Sequence, residues 1–309
     1  MTFLSSLADA TELIKESGLD ADAVIMIIDE ALAEDLGGRG VLPAGTGYGV
    51  DVTSEATIPV DARATARLVV RADGVLAGTA VAAAAFARVL EPTGSYTIEV
   101  TGADGGVVRR GDLVLTVDGN TRAVLTAERV ALNLITMMSG VATAARSWVD
   151  ALAGTQTSVR DTRKTIPGLR VLQKYAVRTA GGVNHRQCLA DAALIKDNHV
   201  IAAGGVVPAF QSVRHRYPDL PIQVEVTKPE QVAELVEVGA TEILLDNMTA
   251  ETMRSVVAEF GDRVVFEASG GLTLSVAQEV AATGVHFVAV GAITHSAPIL
   301  DLALDFVEA

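Results

Sequence analysis

The stretch IQVEVTKPEQVAELVEVGATEILLD, residues 222–246, decides the fold because two short apolar strands flank one helical pattern. The same alternation occurs on both sides of it, with further strand-like runs at TSVRD, AALIK, VVFEA and FVAV. Apolar strands separated by helices indicate a parallel sheet covered by helices. Six strands are too few for an eightfold barrel, so we expect an α/β fold with an incomplete, about six-stranded, parallel barrel.

The region before residue 120 has a different organisation. Strand-like ATARLVVRAD, SYTIEV and DLVLTVD surround a small-residue helix, TAVAAAAFARVL, with glycine-rich turns between them. This mixture predicts a separate α+β domain. The helical stretch TRAVLTAERVALNLITMMSGVATAARSWVDALAG then connects the two halves.

Composition excludes several classes of protein. The 309 residues are 50% hydrophobic but only 4% aromatic, and the formal net charge is −14. Nucleic-acid binding needs broad positive faces and stacking aromatics, so we expect no nucleic-acid partner. A single cysteine, Cys188, fits a reducing cytoplasm. We expect no signal peptide at the start and no apolar run that spans a membrane.

Polar side chains follow all six predicted strands at their carboxyl ends, where parallel α/β folds bind ligands. These side chains are Arg163 with Lys164, Lys196 with Asp197, Asn198 and His199, Glu225, Asp246 with Asn247, Glu267 with Ser269, and Thr294 to Ser296 after Gly291. Polar groups collect wherever strands become loops, which explains two or three of these. Six in succession favour a binding face.

Cations are concentrated between residues 160 and 196. Eight basic residues and two acidic ones give this segment +6 inside a chain of −14, which predicts a pocket for an anionic molecule. Arg163 and Arg186 offer the planar fork that binds carboxylates. The spacing of Arg170, Lys174 and Arg178 is that of ordinary charges on a helix face. His185 and His199, each taken alone, are more simply explained as satisfied loop histidines.

Two further patterns suggest a phosphate site with a hard cation. Glu225 and Asp246 could bind Mg²⁺, although capping or ion-paired acids are the simpler alternative. The sequence ASGG, followed by a helix expected near Thr273, is a weak phosphate-binding pattern. The run GTGYG at 45–49 has the wrong glycine spacing for a dinucleotide site, and His and Cys show no zinc spacing.

Taken together, these segments resemble the quinolinate phosphoribosyltransferase family from about residue 30 to the end of the chain. The most specific stretches are DTRKT, GGVNHR and IKDNH, supported by EDLG, DVTS, LLDN, EASGG and VGAITHS. The resemblance implies an N-terminal α+β sandwich over 1–131 and an α/β barrel over 132–298. A tail of about 299–309 would pack back on the sandwich.

The resemblance also implies a reaction and the residues that perform it. Phosphoribosyl pyrophosphate and quinolinate would give nicotinate mononucleotide, CO₂ and pyrophosphate, with Mg²⁺, in NAD biosynthesis. The implied catalytic residues are Glu225, Asp246 and Lys164, and the first two would also face Mg²⁺, directly or through water. Quinolinate would meet Arg129, Arg163, Lys164, His185, Arg186 and Lys196. The phosphoribosyl group would meet Thr162, Ser269, Gly270, Gly271, Gly291 and His295. A homodimer is implied, with Arg129 reaching the partner's site.

The sequence departs from the family pattern at a few places, and three other functions are possible for it. The link from EDLG to DVTS is lengthened by a glycine-rich insertion at 38–50, and Met137 and Thr227 replace polar residues common in the family. One rival is a paralogue of the same fold from molybdate-transport gene clusters. Others are a nicotinate phosphoribosyltransferase and a non-catalytic phosphate-binding regulator. The complete cation set favours the quinolinate enzyme over all three, and Cys188 has no role in it.

Overall fold

The structure, a computed structural model, describes residues 1–43 and 46–307 and contains two compact units. The first unit comprises Met1–Ala144, Pro167–Ala180 and Ala297–Ala309, and the second comprises Ala145–Ile166 and Gly181–Ser296. The sequence analysis placed a boundary at 131/132. That position and the division between Ala144 and Ala145 lie in the same long helix, and residues 167–180 group with the first unit.

The first unit is built on an antiparallel sheet. Its strands, in spatial order, are β1 (Thr2–Leu4), β4 (Thr97–Val100), β6 (Leu113–Asn120), β2 (Arg63–Val70) and β13 (Leu302–Phe306). A two-stranded ribbon joins β3 (Gly74–Val75) to β5 (Val107–Val108). The C-terminal strand β13 therefore pairs with β2 across more than two hundred residues of sequence, with Leu302 opposite Val70.

The first unit also contains helices, the longest of which continues into the second unit. They are α1 (Leu7–Glu16), α2 (Ala21–Asp35), α3 (Val52–Thr57), α4 (Thr79–Leu90), a 3₁₀ turn (Glu91–Thr93), α5 (Thr121–Ala151) and α6 (Arg170–Thr179). Helix α4 is the centre of the core, because every residue from Thr79 to Ala87 is buried. Its alanines let the chain approach the sheet closely. Gly119 on β6 is needed there, since a Cβ would lie 2.6 Å from Leu90 Cδ2.

Helix α5 is long and apolar enough to cross a membrane when judged by length and composition alone. A buried core helix passes the same test, so this finding does not contradict the expectation that no run spans a membrane. Of its most apolar window, 67% is buried inside the protein, as in a core helix. At Gly140 the C-terminal segment passes so close that a Cβ would lie 2.8 Å from Ile299 Cα.

The second unit contains the predicted parallel sheet, and the α/β fold class with six parallel strands is confirmed. The strand order is β7 (Ser158–Arg160), β12 (Phe287–Ala289), β11 (Val265–Ser269), β10 (Glu242–Asp246), β9 (Ile222–Val226) and β8 (Ala193–Ile195). All neighbouring strands in this sheet are parallel. The connecting helices are α7 (Asp197–Ala203), α8 (Val206–Arg216), α9 (Pro229–Glu237), α10 (Ala250–Phe260), a 3₁₀ turn (Leu274–Val276), α11 (Ala277–Ala281) and α12 (Ala292–His295).

Candidate active site

The parallel sheet has one apolar face and one polar face, because successive side chains on a strand point to opposite sides. Val224, Ile243 and Phe266 occupy equivalent places on three neighbouring strands and are fully buried. The residues that follow them, Glu225, Leu244 and Glu267, also lie side by side but point to the other face. The apolar face supplies packing, and the polar face is left to hold charged groups.

A cavity of about 240 Å³ opens on the polar face, entirely within the second unit. Eight of its lining residues were predicted from sequence: Thr162, Arg163, Lys164, His185, Arg186, Lys196, Glu225 and Ser269. Glu267 was predicted on the binding face without an assigned role, and the apolar Leu194, Leu244 and Ala289 were not predicted. Four cationic and two anionic side chains give the lining a net formal charge of +2. The cavity therefore suits a ligand with two negative charges and a flat apolar body.

The remaining predicted residues do not line this cavity. In the same unit, Asp246 ends β10, Gly270 and Gly271 follow β11, Gly291 follows β12, and His295 ends α12. Arg129 lies in the first unit, exposed on α5. Of the three cations on α6, only Arg178 is exposed, whereas Lys174 is 1% exposed. The view of Lys174 as a solvated helix-face charge was therefore wrong.

The loop after β7 is held in a compact turn that presents Lys164. Its backbone N–H donates to Thr162 Oγ1 at 3.0 Å, and its carbonyl accepts from Thr294 Oγ1 at 2.8 Å. Gly291 lies beneath the lysine, so that a Cβ there would stand 3.0 Å from Lys164 Cδ and 3.3 Å from the His295 ring. Only glycine allows the lysine stem and the imidazole to pack this closely.

The segment 183–186 is attached to the edge of β7 by a buried carboxylate. Val183 bridges Arg160 in parallel register. Asp161, which is fully buried, accepts from the His185 backbone N–H at 2.8 Å and from Asn184 Nδ2 at 2.7 Å. A buried carboxylate that accepts such bonds fixes its donors firmly. The two cavity residues His185 and Arg186 are thereby held without a regular strand.

Both ring nitrogens of His185 are engaged within the protein. Nδ1 accepts from the Arg186 backbone N–H at 2.7 Å, which places the proton of a neutral ring on Nε2. That Nε2 lies 2.9 Å from Gln223 Oε1 and 3.7 Å from Glu267 Oε1. The ring is therefore held in place as a wall of the cavity, with Nε2 turned toward Gln223 and Glu267.

Arg163 and Arg186 create the positive potential of the cavity. Burial, and next the nearby charge of Arg163, lower the pKa of Arg186. Arg186 donates to the Ala192 carbonyl at 2.8 Å, which fixes its guanidinium. Nε of Arg163 is buried and has no hydrogen-bond partner among the described residues. Unpaired buried donors are costly, so the cavity is built to receive an acceptor.

The carboxylates at the strand ends are already engaged. Glu225 accepts from Lys196 Nζ at 2.8 Å, with side-chain exposures of 12% and 49% respectively. Asp246 accepts from Asn247 Nδ2 at 2.8 Å. No cluster of three or more His, Cys, Asp or Glu that could hold a metal exists in the described part of the chain. Two separate carboxylates fit Mg²⁺ only where a substrate supplies most of the oxygen ligands.

The ends of β10 and β11 are joined by backbone contacts. Asn247, with φ +53°, donates its backbone N–H to the Ser269 carbonyl at 3.0 Å. Gly270 has φ +105° and leaves no room for a Cβ beside the Asn247 side chain, whereas Gly271 faces open space. The helix expected near Thr273 begins as a 3₁₀ turn and continues in only five residues of α11. Its dipole is correspondingly weak, so backbone N–H groups are the main anion donors here.

The sequence did not predict the ion pair between Glu267 and Arg160 on the polar face. Glu267 is fully buried and pairs with Arg160, whose Nη1 lies 2.9 Å from Glu267 Oε2. Arg160 also lies 3.8 Å above the Phe287 ring. A charge inside the apolar run VVFEA was the available signal, but Glu267 was interpreted only as a strand-end residue.

A second cavity, of about 330 Å³, lies at the other side of Arg160, His185 and Arg186. It is also lined by residues near the amino ends of the strands, including Ala193, Gln223 and Glu242. Ligand sites in parallel sheets occupy the carboxyl ends. The first cavity is therefore the candidate active site.

Comparisons with known proteins agree with this geometry. Residues 51–139 match the family described as the quinolinate phosphoribosyl transferase N-terminal domain, and residues 141–305 match the C-terminal domain of the same family. A nicotinate-nucleotide pyrophosphorylase [carboxylating] of Mycobacterium leprae is 46% identical, covering 94% of this chain and 99% of that protein. A probable enzyme of the same name from Bacillus subtilis is 37% identical, over 84% and 88% of the two chains.

Solved structures give the same result. A crystal structure of NadC from Streptococcus pyogenes has a TM-score of 0.85 and 32% identity, covering 94% of this chain and 99% of that one. The nicotinate-nucleotide pyrophosphorylase from Francisella tularensis has a TM-score of 0.84 and 35% identity, covering 93% and 96%.

Proposed function

The chain belongs to the quinolinate phosphoribosyltransferase family, and we infer that it is a pentosyltransferase that converts quinolinate and phosphoribosyl pyrophosphate to nicotinate mononucleotide, CO₂ and pyrophosphate in NAD biosynthesis. The observation that carries this conclusion is the +2 cavity at the carboxyl ends of the parallel strands. Quinolinate is a planar dianion, so its charge and shape match this lining. The family resemblance seen in the sequence is confirmed.

We propose that the quinolinate carboxylates bind Arg163, Arg186 and Lys196. The free Nε of Arg163 and the fixed fork of Arg186 support this assignment. Lys164 and His185 line the same cavity and remain predicted contacts, with His185 as a fixed wall. The apolar side chains Leu194, Leu244 and Ala289 would lie against the ring.

We assign the phosphoribosyl group to the loops above the cavity. Thr162 and Ser269 line it, and Gly270 and Gly271 give an anion access to backbone N–H groups. Gly291 and His295 lie beside Lys164, as a phosphate contact requires.

The chemistry then needs charge stabilisation rather than a protein nucleophile. Pyrophosphate leaves the anomeric carbon with its electron pair, and the pyridine nitrogen forms the new bond. We assign to Glu225 and Asp246 the stabilisation of the positive charge that develops on the ribose. The quaternary nitrogen stabilises the electron pair left on the neighbouring ring carbon as CO₂ departs, and that carbon then takes a proton.

Mg²⁺ would be held by substrate pyrophosphate together with Asp246 and Glu225, directly or through water, and would neutralise the leaving group. Both carboxylates already have a partner in this structure, Glu225 with Lys196 and Asp246 with Asn247.

We further propose a homodimer in which Arg129 completes the partner's site. Its exposed position on α5 supports a role outside its own fold. Burial raises the pKa of the neighbouring Glu128 carboxyl, and the charge of Arg129 partly offsets that rise. A cytoplasmic location is also proposed, supported by the single, unpaired Cys188.

The test is a product assay with purified protein, quinolinate, phosphoribosyl pyrophosphate and Mg²⁺. We expect nicotinate mononucleotide and CO₂ in equal amounts, with no product from nicotinate. Product from nicotinate alone would favour the nicotinate enzyme. Inertness toward both would favour the molybdate-cluster paralogue or a regulator, and would overturn the proposal.

A further inference from the structure

Glu267 is a carboxylate in a cavity that suits a negatively charged ligand. The cavity is built to hold a dianion, yet a carboxylate with 1% side-chain exposure lines it. One carboxylate oxygen, Oε2, pairs with Arg160 Nη1. The other, Oε1, is buried and accepts no hydrogen bond within the described residues. A buried carboxylate oxygen without a hydrogen bond lowers the stability of the fold, and its presence therefore needs an explanation.

Packing alone does not explain this carboxylate. If Glu267 served only to neutralise Arg160, both oxygens could be satisfied on the arginine side, because a guanidinium binds carboxylates in a bidentate manner. Instead Arg160 Nε is also without a partner in the described part of the chain. The Glu267 side chain lines the candidate active site and not the second cavity. Its Oε1 lies 3.7 Å from Nε2 of His185, which also lines the candidate active site, so the carboxylate charge is held at that cavity.

The position of Glu267 places its charge under the reacting region. It precedes Ser269 by two residues on the same face of β11, a separation of roughly 7 Å along a strand. It lies level with Glu225 two strands away, roughly 10 Å across the sheet. The ring nitrogen must lie between these groups to reach a ribose held by Glu225 and Ser269.

The reaction changes the charge of the ring in this cavity. When the nitrogen lone pair forms the bond to the anomeric carbon and the carbon–oxygen bond to pyrophosphate breaks, the ring becomes a pyridinium. The cations that hold the dianion then oppose the new positive charge. A buried carboxylate nearby compensates for that repulsion, and it does so more in the transition state than in the substrate complex.

We propose that Glu267 takes part in the reaction: its buried carboxylate, in the lining of the candidate active site, stabilises the positive charge that develops on the pyridine ring. This inference rests on the proposed function. It separates two tasks within one cavity, since the cations bind the dianion and Glu267 favours its conversion to a pyridinium.

The test compares Glu267→Gln with Glu267→Asp and with the control Glu242→Gln, which changes a carboxylate on the same sheet face that lines only the second cavity. For Glu267→Gln we expect kcat to fall about 30-fold, with the KM for quinolinate unchanged or lowered. Glu267→Asp should lose several-fold in kcat, and Glu242→Gln should stay near wild type.

A binding measurement separates charge stabilisation from structural support. Calorimetry would compare 1-methylpyridinium-3-carboxylate, which carries the ring charge, with pyridine-3-carboxylate, which lacks it. Relative affinity for the charged ring should fall about tenfold in Glu267→Gln, and the melting temperature of each variant reports folding.

An unchanged kcat, a higher KM alone or an unaltered ligand preference in Glu267→Gln would overturn the proposal. If that variant does not fold, Glu267→Asp decides, and a change confined to its KM counts against the proposal. A wild-type protein that makes no nicotinate mononucleotide would instead overturn the proposed function.

Discussion

The two sheets of this molecule treat charge in opposite ways. On the antiparallel sheet, Arg63 pairs with Asp118 and Arg71 with Asp305, and all four side chains are more than a third exposed. On the parallel sheet, Arg160 pairs with Glu267 at exposures of 16% and 1%. Exposed pairs contribute little to stability, whereas buried pairs carry a large desolvation cost. The first sheet is organised for packing, and the second gives up packing on one face to bind an anion.

The largest effect is expected where packing dominates. Phe86 is fully buried in α4, so Phe86→Ala should lower the free energy of unfolding by about 3–5 kcal/mol. Its kcat per folded molecule should stay near wild type, since Phe86 lies outside the catalytic unit. Urea unfolding and product assays measure the two quantities. Phe3→Ala, at 66% exposure, is the control and should change neither. If Phe86→Ala and Phe3→Ala lost the same amount of stability, the view that the first unit is organised for packing would be contradicted.

Lys196→Ala should show the reverse behaviour. We expect quinolinate affinity to fall by about 2–3 kcal/mol, or roughly 100-fold, because a cation of the pocket is lost and Glu225 is left without its partner. The melting temperature should change little, since Lys196 is half exposed. Lys228→Ala, an exposed lysine after the neighbouring strand, is the control. Unchanged affinity by calorimetry would remove Lys196 from the site.

Glu225→Gln and Asp246→Asn should lower turnover more than affinity. We expect kcat to fall about 30-fold in each, because the charge that they stabilise exists mainly in the transition state. Steady-state kinetics with separate titration of quinolinate would show this. A rise confined to the quinolinate dissociation constant would place that carboxylate in substrate binding instead.

Mixing two inactive variants tests the shared site. Arg129→Ala and Lys196→Ala homodimers should both be nearly inactive. Half of randomly paired chains form heterodimers, each with one intact site, so co-refolding should restore about a quarter of wild-type activity. If Arg129 served its own chain, no activity would return. An Arg129→Ala homodimer with normal activity would show a surface role only.

The smallest effect is expected from removing 39–49, of which residues 44 and 45 lie outside the described residues. The described residues of the segment are exposed, and the recorded ion pair within it joins Arg39 to Glu30. Shortening a surface loop changes closure entropy slightly, so we expect a change below about 1 kcal/mol and an unchanged oligomer. Thermal unfolding measures the stability and size-exclusion chromatography measures the oligomer. A large loss of stability or a change of oligomer would contradict the prediction.

Sequence patterns predicted what local periodicity encodes. The apolar runs located all six parallel strands, and the polar residues at their carboxyl ends located the cavity. Such patterns do not predict packing between segments that are distant in sequence. Helix α6, with its buried Lys174, groups with the first unit although its neighbours in sequence belong to the second. Glu267 received no role from the sequence for a related reason. Only the register between the strands shows that Glu267 lies level with Glu225.

The pairing of β13 with β2 has a consequence for synthesis. The antiparallel sheet receives its edge strand only when Leu302–Phe306 has left the ribosome, long after Arg63–Val70 has emerged. The whole catalytic unit is made within that interval, inside a loop whose two ends belong to the other unit. Contacts so distant in sequence form slowly. The nascent chain must therefore carry an unpaired β2 edge until Leu302–Phe306 has emerged, and this is the period in which it is most exposed to aggregation.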